Sequence, residues 1–212
     1  MKLLLVAATI PEVQPLLSAF QMERNADGKE VGKHFVRVII TGAGMVPTAF
    51  SLGKHLAEHQ YDLAINAGIA GSFDFDLNLG DVCLVKEDTF AELGAEDGED
   101  FLSSDNLNLG SASQTHNPNP DFELPELKKV NAITVNKVHG HELSIAKAIA
   151  RFNPQIESME GAAFFYACNQ SGVRCIQIRA ISNYVERRNR EKWNISLAIK
   201  NLNDTIINLL ER

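Results

Sequence analysis

Ile65-Asn66-Ala67-Gly68-Ile69-Ala70-Gly71-Ser72 is the stretch that decides the fold. Residues 63–67 are a short apolar run of the kind that fills a strand covered on both faces, and the glycines after it read as a tight turn. The same sequence of events recurs on either side. Residues 3–8 are apolar and lead through Thr9-Ile10-Pro11-Glu12 to Val13, Leu16, Leu17 and Phe20 at helical spacing. Residues 36–40 form another run, closed by Thr41-Gly42-Ala43-Gly44, and 45–56 read as a helix. Downstream, 81–85 and 132–135 read as strands and 158–170 as a helix stopped by Gly172. A buried strand over 174–181 and a long helix over 193–210 complete the set. Strands alternating with helices predict an α/β fold, a single-domain three-layer sandwich around a central mixed, largely parallel β-sheet. Such sheets bind ligands at the carboxyl ends of their strands. Those ends carry Glu12, Gly42 to Gly44, Gly68 to Ser72, and Ser182-Asn183. Residues 94–125, rich in Gly, Asp, Asn, Ser and Pro, are expected to be a polar loop excursion inside one domain spanning 1–212.

Composition narrows the function. The 212 residues carry 20 Lys and Arg against 27 Asp and Glu, a net charge of −7. Binding a nucleic-acid backbone needs clustered positive charge, so no nucleic-acid partner is expected. With 45% apolar and 22% charged residues, a chain of this length buries roughly 70% of its unfolded surface and needs no staple to fold. Cys83, Cys168 and Cys175 are too few and too dispersed for a disulfide framework or zinc site, and read as reduced core residues of a cytoplasmic protein. No apolar run approaches the ~18–20 residues of a membrane span. The opening run has one lysine as its basic region and ends at Pro11-Glu12, so a buried strand is expected rather than a signal peptide.

Several residues have both a plain and a chemical reading. Glu12 completes Thr9-x-x-Glu12, a capping box, yet a carboxylate at the mouth of a sheet can also orient or deprotonate water. Glu160 in Glu157-Ser158-Met159-Glu160 suits a helix dipole, but it precedes the apolar residues 162–167, where an ionised group needs partners such as sugar hydroxyls. Asn183 suits a turn, or a reader with one acceptor and two donors. The two glycine segments match neither G-x-G-x-x-G nor the P-loop. His139-Gly140-His141 lacks a third ligand at suggestive spacing, so no metal is expected. Arg187-Arg188-Asn189-Arg190 is ordinarily a solvated loop, but beside Asn183 it can hold a carboxylate.

Taken together these segments resemble the nucleoside phosphorylase/nucleosidase superfamily over nearly the whole chain. The matching residues are Glu12-Val13, Gly42-Ala43-Gly44-Met45-Val46, Ile65 to Gly71, Leu79-Gly80-Asp81-Val82, Ser158-Met159-Glu160-Gly161-Ala162 and Ile178 to Asn183. Residues 181–186 followed by Arg188 to Asn194 are most similar to the purine nucleosidases that cleave futalosine in menaquinone biosynthesis. The resemblance implies a nucleoside phosphorylase-like fold, a cytoplasmic homodimer or higher homo-oligomer, a small-molecule nucleoside as partner and no cofactor. It implies that Glu12 activates water, that Met159 and Glu160 hold the ribose, and that the backbone near Val138 meets the purine edge. Gly44 and Gly71 approach ribose and base, and Ile69, Ala70, Ser158, Ser182 and Arg188 count as further substrate-lining residues.

Two departures sharpen the expectation. Methylthioadenosine/S-adenosylhomocysteine nucleosidases carry Asp where this chain has Asn183. An Asn can donate to a 6-oxo group and accept from a protonated N7, which favours hypoxanthine over adenine. Where relatives often have Ser, Ile69 removes a hydroxyl, and Glu12 repels phosphate, so water is the expected acceptor. The rival readings are an adenine-nucleoside hydrolase of that second kind and a non-catalytic nucleoside-binding domain.

Overall fold

The structure, a computed structural model, describes residues 1–23, 27–124 and 126–212. In chain order its elements are β1 (Lys2–Ala7), α1 (Ile10–Ala19), β2 (Lys29–Val31), β3 (His34–Ile40), α2 (Met45–Glu58), β4 (Leu63–Ser72), β5 (Val82–Phe90), β6 (Gly94–Asp97), β7 (Asp100–Ser103), β8 (Ser113–Thr115), β9 (Lys128–Thr134), α3 (Glu142–Phe152), β10 (Ile156–Ser158), α4 (Gly161–Gln170), β11 (Cys175–Tyr184) and α5 (Ile195–Leu210).

The alternation of β1 sets the layers, because successive side chains of a strand point to opposite faces. Leu3, Leu5 and Ala7 join Val13 and Leu16 of α1 and Leu202 and Ile206 of α5 in one core. Leu4 and Val6 join Leu52 and Leu56 of α2 and Phe164 and Phe165 of α4 in a second core across the sheet. The result is the expected helix–sheet–helix sandwich. The sheet runs β10-β9-β5-β11-β4-β1-β3-β2, with β8 on β5. It is mixed: β1 pairs in parallel with β3 and β4, and β11 with β4, while β5 is antiparallel to β11. β10 also pairs with β4, so β4, β11, β5, β9 and β10 close on themselves.

Several boundaries differ from expectation, each for a tertiary reason. Residues 68–72 are not a turn. β4 continues through them because β11 and β10 pair with both edges, Asn183 against Gly71 and Ile156 against Ser72. The helix expected from 158 starts at Gly161, since Ser158 ends a strand paired with β9 and its hydroxyl accepts the Gly161 N–H at 3.3 Å. The last helix starts at Ile195, where the Asn194 side chain accepts the Leu197 N–H. The 94–125 excursion is more ordered than expected: β6 and β7 form a hairpin and β8 extends β5, while residue 125 lies outside the described residues.

Candidate active site

The ends of β1, β4 and β11 converge on a buried polar cluster. Glu12 begins in the first turn of α1, where its carboxylate does two jobs. Oε2 accepts the Thr9 N–H and the Thr9 hydroxyl, each at 2.8 Å, which is the capping half of its role. Oε1 accepts the Ile69 N–H at 3.2 Å, which ties it to β4. Burial raises the Glu12 pKa, and the Arg179 guanidinium is the main opposing influence. Glu160, the residue before α4, accepts the Gly44 N–H on Oε1 at 3.0 Å and places Oε2 3.6 Å from Arg179 Nη1. Two buried carboxylates thus flank one buried arginine.

Arg179 lies within the matching segment Ile178 to Asn183, where the sequence alone points to no role for it. The usable signal was a cation inside the apolar run of β11, which burial obliges to find partners. Its partners are Gln177 Oε1, bonded from Nε at 2.8 Å, and Asn66 Oδ1, bonded from Nη2. The guanidinium passes over Gly68, where an added Cβ would collide with Nη1 and lie 3.0 Å from Glu12 Oε1. A glycine there is required by close approach, not by a turn.

A second zone lies around Asn183. β11 bulges between Ile181 and Asn183, and a bulge re-aims the side chain that follows it. Asn183 lies across Gly71, with Nδ2 3.2 Å from where a Gly71 Cβ would stand. Its Oδ1 is 2.8 Å from the Ser182 hydroxyl, which also approaches the Ala70 carbonyl at 3.1 Å. Its Nδ2 donates to the Tyr184 carbonyl at 3.0 Å. One N–H and one lone pair of the amide remain. Asn183, Gly71, Val138, His139, Glu157 and Arg188 line a cavity of about 130 Å³. The Arg188 guanidinium lies 4.8 Å from the Trp193 ring centre.

The two histidines separate. His139 donates its backbone N–H to Glu157 Oε1 at 3.0 Å, and its Nδ1 lies 2.6 Å from Glu157 Oε2. His141 instead caps α3 through Nδ1. Glu157, which heads the segment containing Glu160, is buried and paired with His139, a partnership its local sequence does not signal. Ser158 is buried under α4 and Met159 is half-buried. Ala70 and Ile69 face the site through their backbones. A further cavity of about 720 Å³ reaches Met45, the residue after Gly44.

Comparison with known proteins identifies the family and the fold. The model of the phosphorylase superfamily matches residues 6–211. A futalosine hydrolase of Thermus thermophilus is 31% identical over 180 residues, 80% of this chain and 79% of that protein. A 5'-methylthioadenosine/S-adenosylhomocysteine nucleosidase of Colwellia psychrerythraea is 25% identical over 82% of this chain and 78% of that protein. The solved futalosine hydrolase of Helicobacter pylori shares the fold, with a TM-score of 0.79 at 14% identity over 100% of this chain and 97% of that one.

Proposed function

The chain belongs to the phosphorylase superfamily, and from that premise we propose that it hydrolyses the N-glycosidic bond of futalosine, releasing hypoxanthine and dehypoxanthine futalosine in menaquinone biosynthesis. The observation that carries this reading is the pair of buried carboxylates, Glu12 and Glu160, held on either side of Arg179 next to the Asn183 cavity. Cleavage passes through a ribosyl cation of oxocarbenium character. Glu160 holds the ribose hydroxyls and its charge favours the cationic ring. Glu12, ionised, takes a proton from the attacking water. N7 takes a proton from solvent water as the bond to the ribose breaks, and Asn183 donates to the 6-oxo oxygen and accepts from the resulting N7–H as the base departs.

Water is favoured over phosphate by charge. Two carboxylates repel a phosphate dianion, and Arg179 is already committed to Gln177, Asn66 and Glu160. Each step uses side chains and water, so this reading includes no cofactor. It places the reaction in the cytoplasm, where the three buried thiols stay reduced. It also makes the protein a homodimer or higher homo-oligomer, which would cover Val46 and Phe50, exposed on α2.

The test is incubation with futalosine, inosine and methylthioadenosine, without and with phosphate, followed by base detection. Hypoxanthine release from futalosine independent of phosphate is the expected outcome. Ribose-1-phosphate as the main product would make the protein a phosphorylase. Faster release from methylthioadenosine would make it an adenine-nucleoside hydrolase.

A further inference from the structure

We propose that Asp88 is a positioning residue that sets the Arg179 guanidinium between Glu12 and Glu160, acting through the amide of Gln177. Asp88 is on β5, wholly buried, and none of the sequence motifs includes it. Its Oδ1 accepts the Thr134 hydroxyl at 2.7 Å and its Oδ2 accepts the Gln177 Nε2–H at 2.9 Å. An ionised carboxylate only accepts, so it obliges Gln177 to present its NH2. The amide oxygen then faces the other way and accepts the Arg179 Nε–H at 2.8 Å. Arginine only donates, so the far end demands the same amide orientation. Asn66 repeats the device: Nδ2 donates to the Val6 carbonyl at 3.1 Å, and Oδ1 is left for Arg179 Nη2. With Nε and Nη2 held, Nη1 is directed at Glu160.

Two more observations place this chain of bonds in the service of the site. The Thr134 hydroxyl that donates to Asp88 also accepts the Ala162 N–H at 2.8 Å, in the first turn after Glu160. Asp88 therefore steadies both partners of the Arg179–Glu160 pair. Gly161 makes room for it, since a Cβ there would collide with Asp88 Oδ2 and with both polar atoms of the Gln177 amide. Burial pushes the Asp88 carboxyl up to about 6, against the pull of its bonds to Gln177 and Thr134. A carboxylate is held here in spite of that cost.

The proposal rests on the hydrolase reading, and its test separates the two. Asp88→Asn must set its NH2 against either Gln177, turning that amide away from Arg179, or Thr134, whose hydroxyl then loses its acceptor. Either way, one of the two bonds that fix Arg179 and the first turn after Glu160 is broken. Combined with Gln177→Glu, it exchanges carboxylate and amide and restores every donor and acceptor at unchanged charge. The single variant should lose about tenfold or more in kcat with KM for the nucleoside nearly unchanged, and the double variant should recover kcat. Exchange of the Arg179 Nε–H with solvent, followed by NMR, needs no turnover. It should speed up in the single variant and slow again in the double. A single variant with wild-type kcat and exchange and only a lower Tm overturns the relay. So does a double variant that fails to fold or fails to regain what the single one lost. Should Asp88→Asn alone not fold, the double variant decides, with kcat near wild type expected. A wild type that releases no base from any nucleoside defeats the hydrolase reading, and the exchange measurement still judges the relay.

Discussion

Glu12, Glu160 and Arg179 are 7%, 6% and 1% exposed, and their polar atoms are engaged by Thr9, Ile69, Gly44, Gln177 and Asn66. Asn183, His139 and Arg188 stand instead around a small cavity, half-buried or exposed, with bonding capacity to spare. The two ends of the site therefore differ in what a substrate finds. At the carboxylate end the protein has already oriented its charges, so the proposed reaction would need little reorganisation there. At the amide end the ligand completes the bonding, so changes there alter which base is preferred more than how fast a good one reacts. Substitutions can break or sharpen this contrast.

The largest effect is expected from Glu12→Gln, which should lower kcat by about 10²- to 10⁴-fold while a product analogue still binds. Normal turnover with only a lower Tm would reduce Glu12 to a helix cap and erase the contrast. The same carboxylate sets the acid side of the pH profile. Because burial raises its pKa above the ordinary 4.5, a base that must be ionised is lost as pH falls through that raised value. The acid limb of kcat/KM should thus lie above 4.5 and be absent from the residual rate of Glu12→Gln. A limb at or below the ordinary value would assign the ionisation elsewhere.

Asn183→Asp should act on choice. In the proposed wild-type site, adenine would set an amino donor against the amide NH2, a mismatch of roughly 1–3 kcal/mol, or about 5- to 150-fold. The variant should gain on adenine nucleosides and lose on 6-oxopurines, measured as a ratio of kcat/KM values. An unmoved ratio would make Asn183 a structural residue of the bulge. The smallest effect belongs to Arg188→Ala. An exposed cation contributes ~0.2–1 kcal/mol to an ion pair, so KM for futalosine, whose side chain bears a carboxylate, should rise by a few-fold at most. KM for uncharged inosine should stay put, and an equal rise for both would tie Arg188 to Trp193 packing instead.

The contrast also explains what the sequence could say. Where a run is continuously apolar or carries a clear apolar stripe, as in β1, β3 and α5, periodicity locates it whatever it later packs against. Where distant partners decide, it does not. Gly68 and Gly71 carry turn signals, yet the edges supplied by β10 and β11 keep β4 extended through them. α3 is not legible because it buries only Ala148 and leaves Leu143 and Ile149 exposed, so its apolar positions mark no core face. Glu12, Glu160 and Asn183 stood out because they sit at strand ends. Arg179 was hidden inside a strand, and Asp88 and Gln177 are 89 residues apart, with nothing local to join them.

One side chain has a consequence in time. Asn203 of α5 accepts the Leu16 N–H at 3.0 Å and donates to the Glu12 carbonyl at 2.8 Å, the two groups that would close a turn in an uninterrupted helix. The Glu12 carboxylate thus stands on a turn of backbone clasped by a residue 191 positions later. On the ribosome Glu12 is made early and its clasp late, with roughly 10 to 40 seconds between them at ordinary elongation rates. A nascent chain can hold all the acid–base groups and still lack the clasp that sets the first of them, so synthesis itself delays the onset of activity.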